Sequence, residues 1–454
     1  RDTDRSRGLG DVYKRQVPQR AAAGLDPWAT PQAYDNAKDF FDTGITWSNS
    51  LNVAQMLDKS SYSISLGNTH QDGIISSTGM DRYNVKVSAD TKLTNNWSSG
   101  FTANYITTSI DKAVTSGNGL LRTVYAAPPS YDLAGIPSHV DGNPYTQNSF
   151  RGSFDNAYWA MENNKFTEDT NRFFGNVYTS YQTDFGTTNH KLNAKYMVGV
   201  DAYTTHYVDS YGYGSNTGGG RGQIENYGWT NATYNSLLTI NYDWHINEDW
   251  GLNAVVGNEI IQSNRKKYYE YGTNYNFPGW NHINNATTQQ TEEETWKNRT
   301  VGFFGNVSAS YRNMLYLTLT GRQDYVSNMP RKNRSFFYPS ISAGFILTEL
   351  DALKNNVVNH AKLRVSYAEV GQAGDFLENY YSTPTYGGGF YMLTPIMYPM
   401  KGTTAYTPYY TIFDPKLKPQ NTRSYEVGAD VNFLDNLITF SYTYSRQNVK
   451  DQIF

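Results

Sequence analysis

Thr422-Arg423-Ser424-Tyr425-Glu426-Val427-Gly428-Ala429-Asp430-Val431-Asn432-Phe433, then the turn Leu434-Asp435-Asn436, then Leu437-Ile438-Thr439-Phe440-Ser441-Tyr442-Thr443-Tyr444-Ser445, is the stretch that decides the fold. Both halves alternate. Tyr425, Val427, Ala429, Val431 and Phe433 share one face, and Ser424, Glu426, Gly428, Asp430 and Asn432 share the other. After the turn, Ile438, Phe440, Tyr442 and Tyr444 alternate with Thr439, Ser441, Thr443 and Ser445. Period two is the side-chain period of a strand, so this is a hairpin with one apolar and one polar face. Glu426 and Asp430 lie mid-strand, where a dry core would not take them unpaired. A wide barrel with lipid outside and water inside accepts such a pattern at strand after strand.

The same pattern runs back through the chain. Ile45, Trp47, Leu51 and Val53 alternate toward a turn at Asp58-Lys59-Ser60, and Tyr62, Ile64 and Leu66 alternate away from it. Short turns recur near 94–96, 185–187, 247–249, 312–314 and 434–436. Long connections span about 111–170, 204–228, 263–298 and 372–422. The reading is an all-β, antiparallel transmembrane β-barrel of about 14 strands, with short periplasmic turns and long extracellular loops. The strands fall near 45–56, 61–70, 82–93, 97–109, 172–184, 190–203, 229–244, 250–262, 300–312, 315–324, 337–347, 362–371, 423–433 and 437–447. Trp97, Tyr181, Trp244, Trp250, Tyr311 and Phe433 sit beside short turns in phase with the apolar face. That is where an interfacial aromatic girdle belongs. Val256 and Val427 are expected to face lipid, and Thr443 the lumen.

Several motifs carry a family resemblance. Pro415-Lys416-Leu417-Lys418-Pro419-Gln420-Asn421 leads into the strand above, and Asn448-Val449-Lys450-Asp451-Gln452-Ile453 follows it. Upstream lie Asp39-Phe40-Phe41-Asp42-Thr43-Gly44, Ser65-Leu66-Gly67-Asn68-Thr69, Tyr338-Pro339-Ser340-Ile341-Ser342-Ala343-Gly344 and Leu363-Arg364-Val365-Ser366-Tyr367. In this order they resemble TonB-dependent outer-membrane receptors of the SusC/RagA branch found in Bacteroidetes. The resemblance implies a barrel of about 22 strands, of which this chain would supply about the second to the fifteenth. It implies import of glycan oligosaccharides or peptides across the outer membrane. It also implies a SusD/RagB-like surface lipoprotein as partner, and a TonB–ExbB–ExbD complex acting through an N-terminal plug region outside this chain. Two other readings stand beside it: a passive, porin-like or structural outer-membrane barrel, and a secreted all-β glycan-binding protein.

Composition sets the outer limits. Lys+Arg number 38 and Asp+Glu 41, for a net charge of -3, which gives no electrostatic reason to expect nucleic acid. There is no Cys, so zinc ribbons, disulfide scaffolds and Cys nucleophiles are excluded. Aromatics make up 15% of the chain and mean hydropathy is -0.64. Both suit strands with one wet face. No apolar run approaches the about 18 residues of a spanning helix.

Residues 1–16 read as a non-native leader, 17–44 as an extracellular loop segment with a short helix near Pro31 to Phe41, and 45–454 as partial barrel wall.

No catalytic constellation emerges, so no enzyme activity, cofactor or metal is expected. The seven His are scattered, and Glu292-Glu293-Glu294 reads as a solvated loop face. The loop aromatics Tyr131, Tyr145, Trp159, Tyr275, Phe277, Trp280, Tyr391, Tyr398, Tyr409 and Tyr410 stand beside Asn, Asp and Gly, and are the candidates for substrate or partner contact. Packing of the loops on themselves is the competing reading.

Overall fold

A computed structural model describes residues 15–114, 120–217, 219–353, 355, 357–374, 376, 381–382, 402–403, 407–408 and 413–453. Fourteen strands form one sheet in chain order, each antiparallel to the next. They are β1 (Thr46–Met56), β2 (Ser60–Asp72), β3 (Gly79–Lys92), β4 (Trp97–Lys112), β5 (Lys165–Thr183), β6 (His190–Tyr211) and β7 (Gln223–His245). Then come β8 (Trp250–Tyr275), β9 (Ala286–Tyr311), β10 (Leu315–Val326), β11 (Ser335–Ile346), β12 (Val358–Gln372), β13 (Gln420–Phe433) and β14 (Ile438–Lys450). All fourteen coincide with strands read from the alternation. β1 and β14 are the two ends of this meander and do not pair with one another.

The apolar face of the sheet has no protein cover. Leu51, Val85, Val177, Leu319 and Val365 all remain exposed on it, and Val256 and Val427 are 54% and 56% exposed. A soluble sandwich would hide these side chains under a second layer at a gain of roughly 25 cal/mol per Å². Their uniform exposure fits a face whose solvent is hydrocarbon.

The short ends are closed by tight turns. Arg312 and Asn313 both have positive φ, 50° and 54°, the handedness that matches strand twist in a hairpin. One connection on this side is longer. Leu347 to Val357 carries two 3₁₀ turns, Leu347–Glu349 and Asp351–Leu353.

At the other end the sequence reading needs correction. The expected loops at 204–228 and 263–298 are largely strand. β6 and β7 stay in register up to Tyr211↔Gln223, and β8 and β9 up to Tyr275↔Ala286. The cause is physical. Above the apolar band both faces of a strand meet water, so Thr, Asn, Lys and Glu occupy both and the period-two signal fades. The cross-strand hydrogen bonds continue regardless.

The described loops build a small domain of their own on this long-loop side. It joins α1 (Pro18–Ala22), α2 (Asn36–Phe40), α3 (Leu120–Ala126) and α4 (Ala157–Asn163). Phe40, Ile75, Leu120, Val124, Tyr131, Leu133, Ile136 and Trp159 form its core. The expected helix near Pro31 begins later, because Asp35 caps it by accepting from the Lys38 backbone N–H at 3.2 Å. Proline does open a helix, but it is Pro18 in α1. Arg15–Gln16 pairs with Trp28–Ala29, while residues 1–14 of the expected leader lie outside the described residues.

Candidate functional site

The aromatic positions expected at the short turns form cross-strand contacts. Trp97 lies opposite Tyr181 with ring centroids 5.0 Å apart, and Trp250 opposite Tyr311 at 4.7 Å. Trp244 lies opposite His190, whose ring stacks on it at 5.7 Å. Phe433 pairs with Ile438 at the same end. A second aromatic level was not singled out in the sequence: Tyr105 opposite Phe173, Tyr234 on β7, Tyr325 opposite Val301, and Tyr367 opposite Tyr425. Eight residues separate Phe173 from Tyr181, and ten separate Tyr234 from Trp244. At about 3.3 Å per residue and about 40° of tilt, the two levels stand roughly 20–25 Å apart. That is the height of an apolar band in an outer-membrane barrel.

The polar face is a hydrogen-bonded wall. Arg322 bridges Glu259 at 2.9 Å and Asp324 at 2.8 Å. Arg364 donates to Asp430 at 3.0 Å and to Thr443 at 2.8 Å, which places Thr443 on this face as expected. Asn253 donates to both Asn241 and Asp243, and the Tyr178 hydroxyl donates to Asp90. These charges are paired but reachable from water, unlike charge in a sealed core.

β5 to β9 continue past the upper aromatic level, and there the polar face carries ordered rows. One row reads Glu168–Tyr207–Tyr227–Tyr269–Glu292. Next comes Thr170–Thr205–Trp229–Lys267–Glu294, then Arg172–Tyr203–Asn231–Arg265–Trp296. Tyr207 and Tyr227 stack at 4.8 Å and 12°, and Trp229 meets both edge-on at 5.7 and 5.9 Å. Lys112 sits over Phe166 and Tyr207 while paired with Glu168. Arg172 pairs with Asp201 at 2.6 Å, and Lys267 lies 3.9 Å from both Glu292 and Glu294. The acidic triplet is therefore split by strand alternation. Glu292 and Glu294 flank Lys267, while Glu293 pairs with Lys266 at 2.8 Å on the opposite face. Among the described residues no group of three His, Asp or Glu gathers as a metal site.

This tract of aromatics and paired charges is the candidate site, and the sequence reading passed over most of it. The usable signal was spacing: Tyr207 and Tyr211, Tyr227, and Tyr269 and Tyr271 lie beyond the assigned strand ends at even spacing, Tyr207 and Tyr211 from Tyr203 and Tyr227 from Trp229.

The loop aromatics fare differently. Tyr131, Trp159 and Tyr275 are buried, with Trp159 and Tyr275 at 0% exposure, so as placed they offer no face to a ligand. Their burial favours the competing reading, packing of the loops on themselves. Burial pushes the Tyr131 phenol up to about 12. Trp159 donates from Nε1 to the Pro144 carbonyl at 2.8 Å, inside the loop-domain core. Tyr275 ends β8 and packs on Ile224 and Ala286. Trp280 is exposed, stacked between Phe277 at 5.9 Å and His282 at 4.9 Å. Tyr145 is half-buried below that tip, its hydroxyl against Gly279. Tyr391, Tyr398, Tyr409 and Tyr410 lie outside the described residues.

Comparison with known proteins agrees with this geometry. The family model described as TonB dependent receptor-like, beta-barrel matches residues 128–454. The TonB-dependent receptor SusC of Bacteroides thetaiotaomicron is 25% identical over 460 residues, covering 95% of this chain and 44% of SusC. The TonB-dependent receptor P3 of Formosa agariphila is 22% identical, covering 93% of this chain and 42% of that protein. The chain thus spans less than half the length of these curated relatives. Among solved structures, the RagAB peptide transporter superposes with a TM-score of 0.75 at 14% identity, covering 92% of this chain and 46% of that one. The closed-closed state of the RagAB peptide importer gives 0.77 at 16%, covering 97% and 48%. The uncovered apolar face, the two aromatic levels and the matched barrel model lead to one conclusion: this chain belongs to the TonB-dependent receptor-like β-barrel family and is a protein of the outer membrane.

Proposed function

We propose that this chain forms the wall and external loops of a TonB-dependent importer of oligomeric nutrients, glycan or peptide. Such a protein would work with a SusD/RagB-like surface lipoprotein. The observation that carries this reading is the polar face of β5–β9. It keeps ordered aromatic rows and paired charges for several residues above the lipid band, where a plain anchor would need only short loops. Flat rings there give a passing oligomer stacking surfaces, and the neighbouring amides and carboxylates give it hydrogen-bond partners. The SusC and RagAB likenesses support import, and the family is one of transporters and receptors.

Two experiments test the reading. Deleting the complete gene should abolish growth on the oligomer that its locus serves, while growth on the free monomer stays normal. Removing TonB should have the same effect. Uptake that persists without TonB would overturn the importer reading in favour of passive diffusion through a porin-like barrel. The partner is tested by deleting Tyr391 to Tyr410 in the intact protein. The expected result is an assembled barrel that no longer co-purifies with the neighbouring lipoprotein.

A further inference from the structure

Arg265 differs from the other cations of the aromatic tract. Lys112, Arg172 and Lys267 each have a carboxylate within 4 Å. Arg265 has none, and no hydrogen bond to any described residue. Its guanidinium carbon instead lies 5.2 Å from the Trp229 ring and 5.5 Å from the Trp296 ring. Trp296 is its direct cross-strand partner on β9, and Asn231 is its partner on β7. The Asn231 side chain is likewise without a hydrogen bond to any described residue. Tyr203 lies beyond Asn231, and Arg172 ends the row with its guanidinium paired to Asp201.

A guanidinium held against indole rings keeps its charge and its forked N–H donors. It gives up little freedom when it binds, because its position is already fixed. Its geometry matches a carboxylate or similar anion in two parallel hydrogen bonds. Asn231 adds an amide donor from the facing strand. The rows above are more acidic: Glu168 and Glu292 are offset by Lys112 and Lys267, and Glu294 interacts through space with both Lys267 and Arg265, with no contact to Arg265 within 4 Å. Asp209 and Glu225 face each other six residues further along β8, opposite Tyr271. At about 3.3 Å per residue that is well beyond a Debye length of about 8 Å.

We propose that Arg265 and Asn231, walled by Trp229, Trp296 and Tyr203, form a station for an anionic group on the transported oligomer. This rests on the importer reading and narrows it to ligands bearing carboxylates. Those could come from an acidic saccharide or from acidic side chains of a peptide. Binding to the intact, full-length protein is measured by titration calorimetry with two matched pairs of probes. One pair is trigalacturonate and neutral maltotriose. The other is blocked triglutamate and blocked triglutamine.

The expected result is that one acidic probe binds at least about tenfold more tightly than its neutral match, in line with a charge-assisted forked pair. Which acidic probe wins identifies the source. Arg265→Gln should remove that preference and leave the weaker neutral binding in place. Arg265→Lys should restore only part of it. Asn231→Asp should also remove it, by occupying the guanidinium internally. Trp229 and Trp296 fluorescence in each variant verifies that the wall is still folded. Equal binding of acidic and neutral probes, or an acidic preference that survives Arg265→Gln, overturns the proposal. The importer reading is decided separately by TonB-dependent growth and would survive either result.

Discussion

Val427→Arg is expected to cost the intact barrel about 2–4 kcal/mol of folding stability in lipid, the penalty of a charge near the bilayer midplane. Val427 points from β13 onto the uncovered apolar face, opposite Val365 on one side and Tyr444 on the other. Ser445→Arg places the same side chain at the same depth on the other face. Ser445 lies opposite Glu426 on the wet wall, so that substitution should cost well under 1 kcal/mol and could form a weak pair. Urea titration of folding into phospholipid vesicles measures both. Equal costs at the two positions would mean that the faces are assigned wrongly.

Trp159→Ala should produce the second large effect, confined to the loop domain. The indole is fully buried, its Nε1–H is satisfied by the Pro144 carbonyl, and Leu133 and Val124 belong to the same core. Replacing it leaves a cavity worth about 3–5 kcal/mol, and the domain is too small to absorb that loss. Residues 120–164 should become open to protease, while the strands keep the heat-resistant migration of a folded barrel. Val427→Arg should do the reverse, weakening the barrel with the loop core intact. A protease-resistant Trp159→Ala loop would show that this core does not hold the domain together.

The sheet was legible because lipid imposes a strict rule. A strand in the apolar band must put carbon outward and may wet only its inner face, so every strand from Thr46 to Lys450 announces itself in period two. The lower aromatic level followed from the same rule, since Trp97, Trp244 and Trp250 sit beside turns that are themselves obvious. Legibility ended where the rule ends. Above Tyr203 and Gln262 both faces meet water, and the strand continuations to Tyr211 and Tyr275 lost the apolar–polar alternation, keeping only an even spacing of aromatics, although their hydrogen bonds persist. The loop domain failed for another reason. Trp159 and Tyr131 are buried by contacts among 17–41, Ile75, Ala113 and 120–161. Local sequence carries no trace of such distant packing, so a structural tryptophan looks the same as a ligand-stacking one. Arg265 was invisible on similar grounds, because its two tryptophans come from different strands, 36 positions upstream and 31 downstream.

A nitroxide scan along β8 tests the central claim most directly, namely that this sheet separates lipid from a wet lumen. The chain contains no Cys, so single cysteines introduced from Leu252 to Ile261 in a cysteine-free full-length protein can each carry one spin label. In bilayers, collision with oxygen reports lipid, and collision with a nickel chelate reports water. Positions 252, 254, 256, 258 and 260 should favour oxygen, and 253, 255, 257, 259 and 261 should not. Extended beyond Gln262, the scan should lose its alternation. Oxygen and nickel accessibilities that rise and fall together, or that alternate in the opposite phase, would contradict the barrel wall described here.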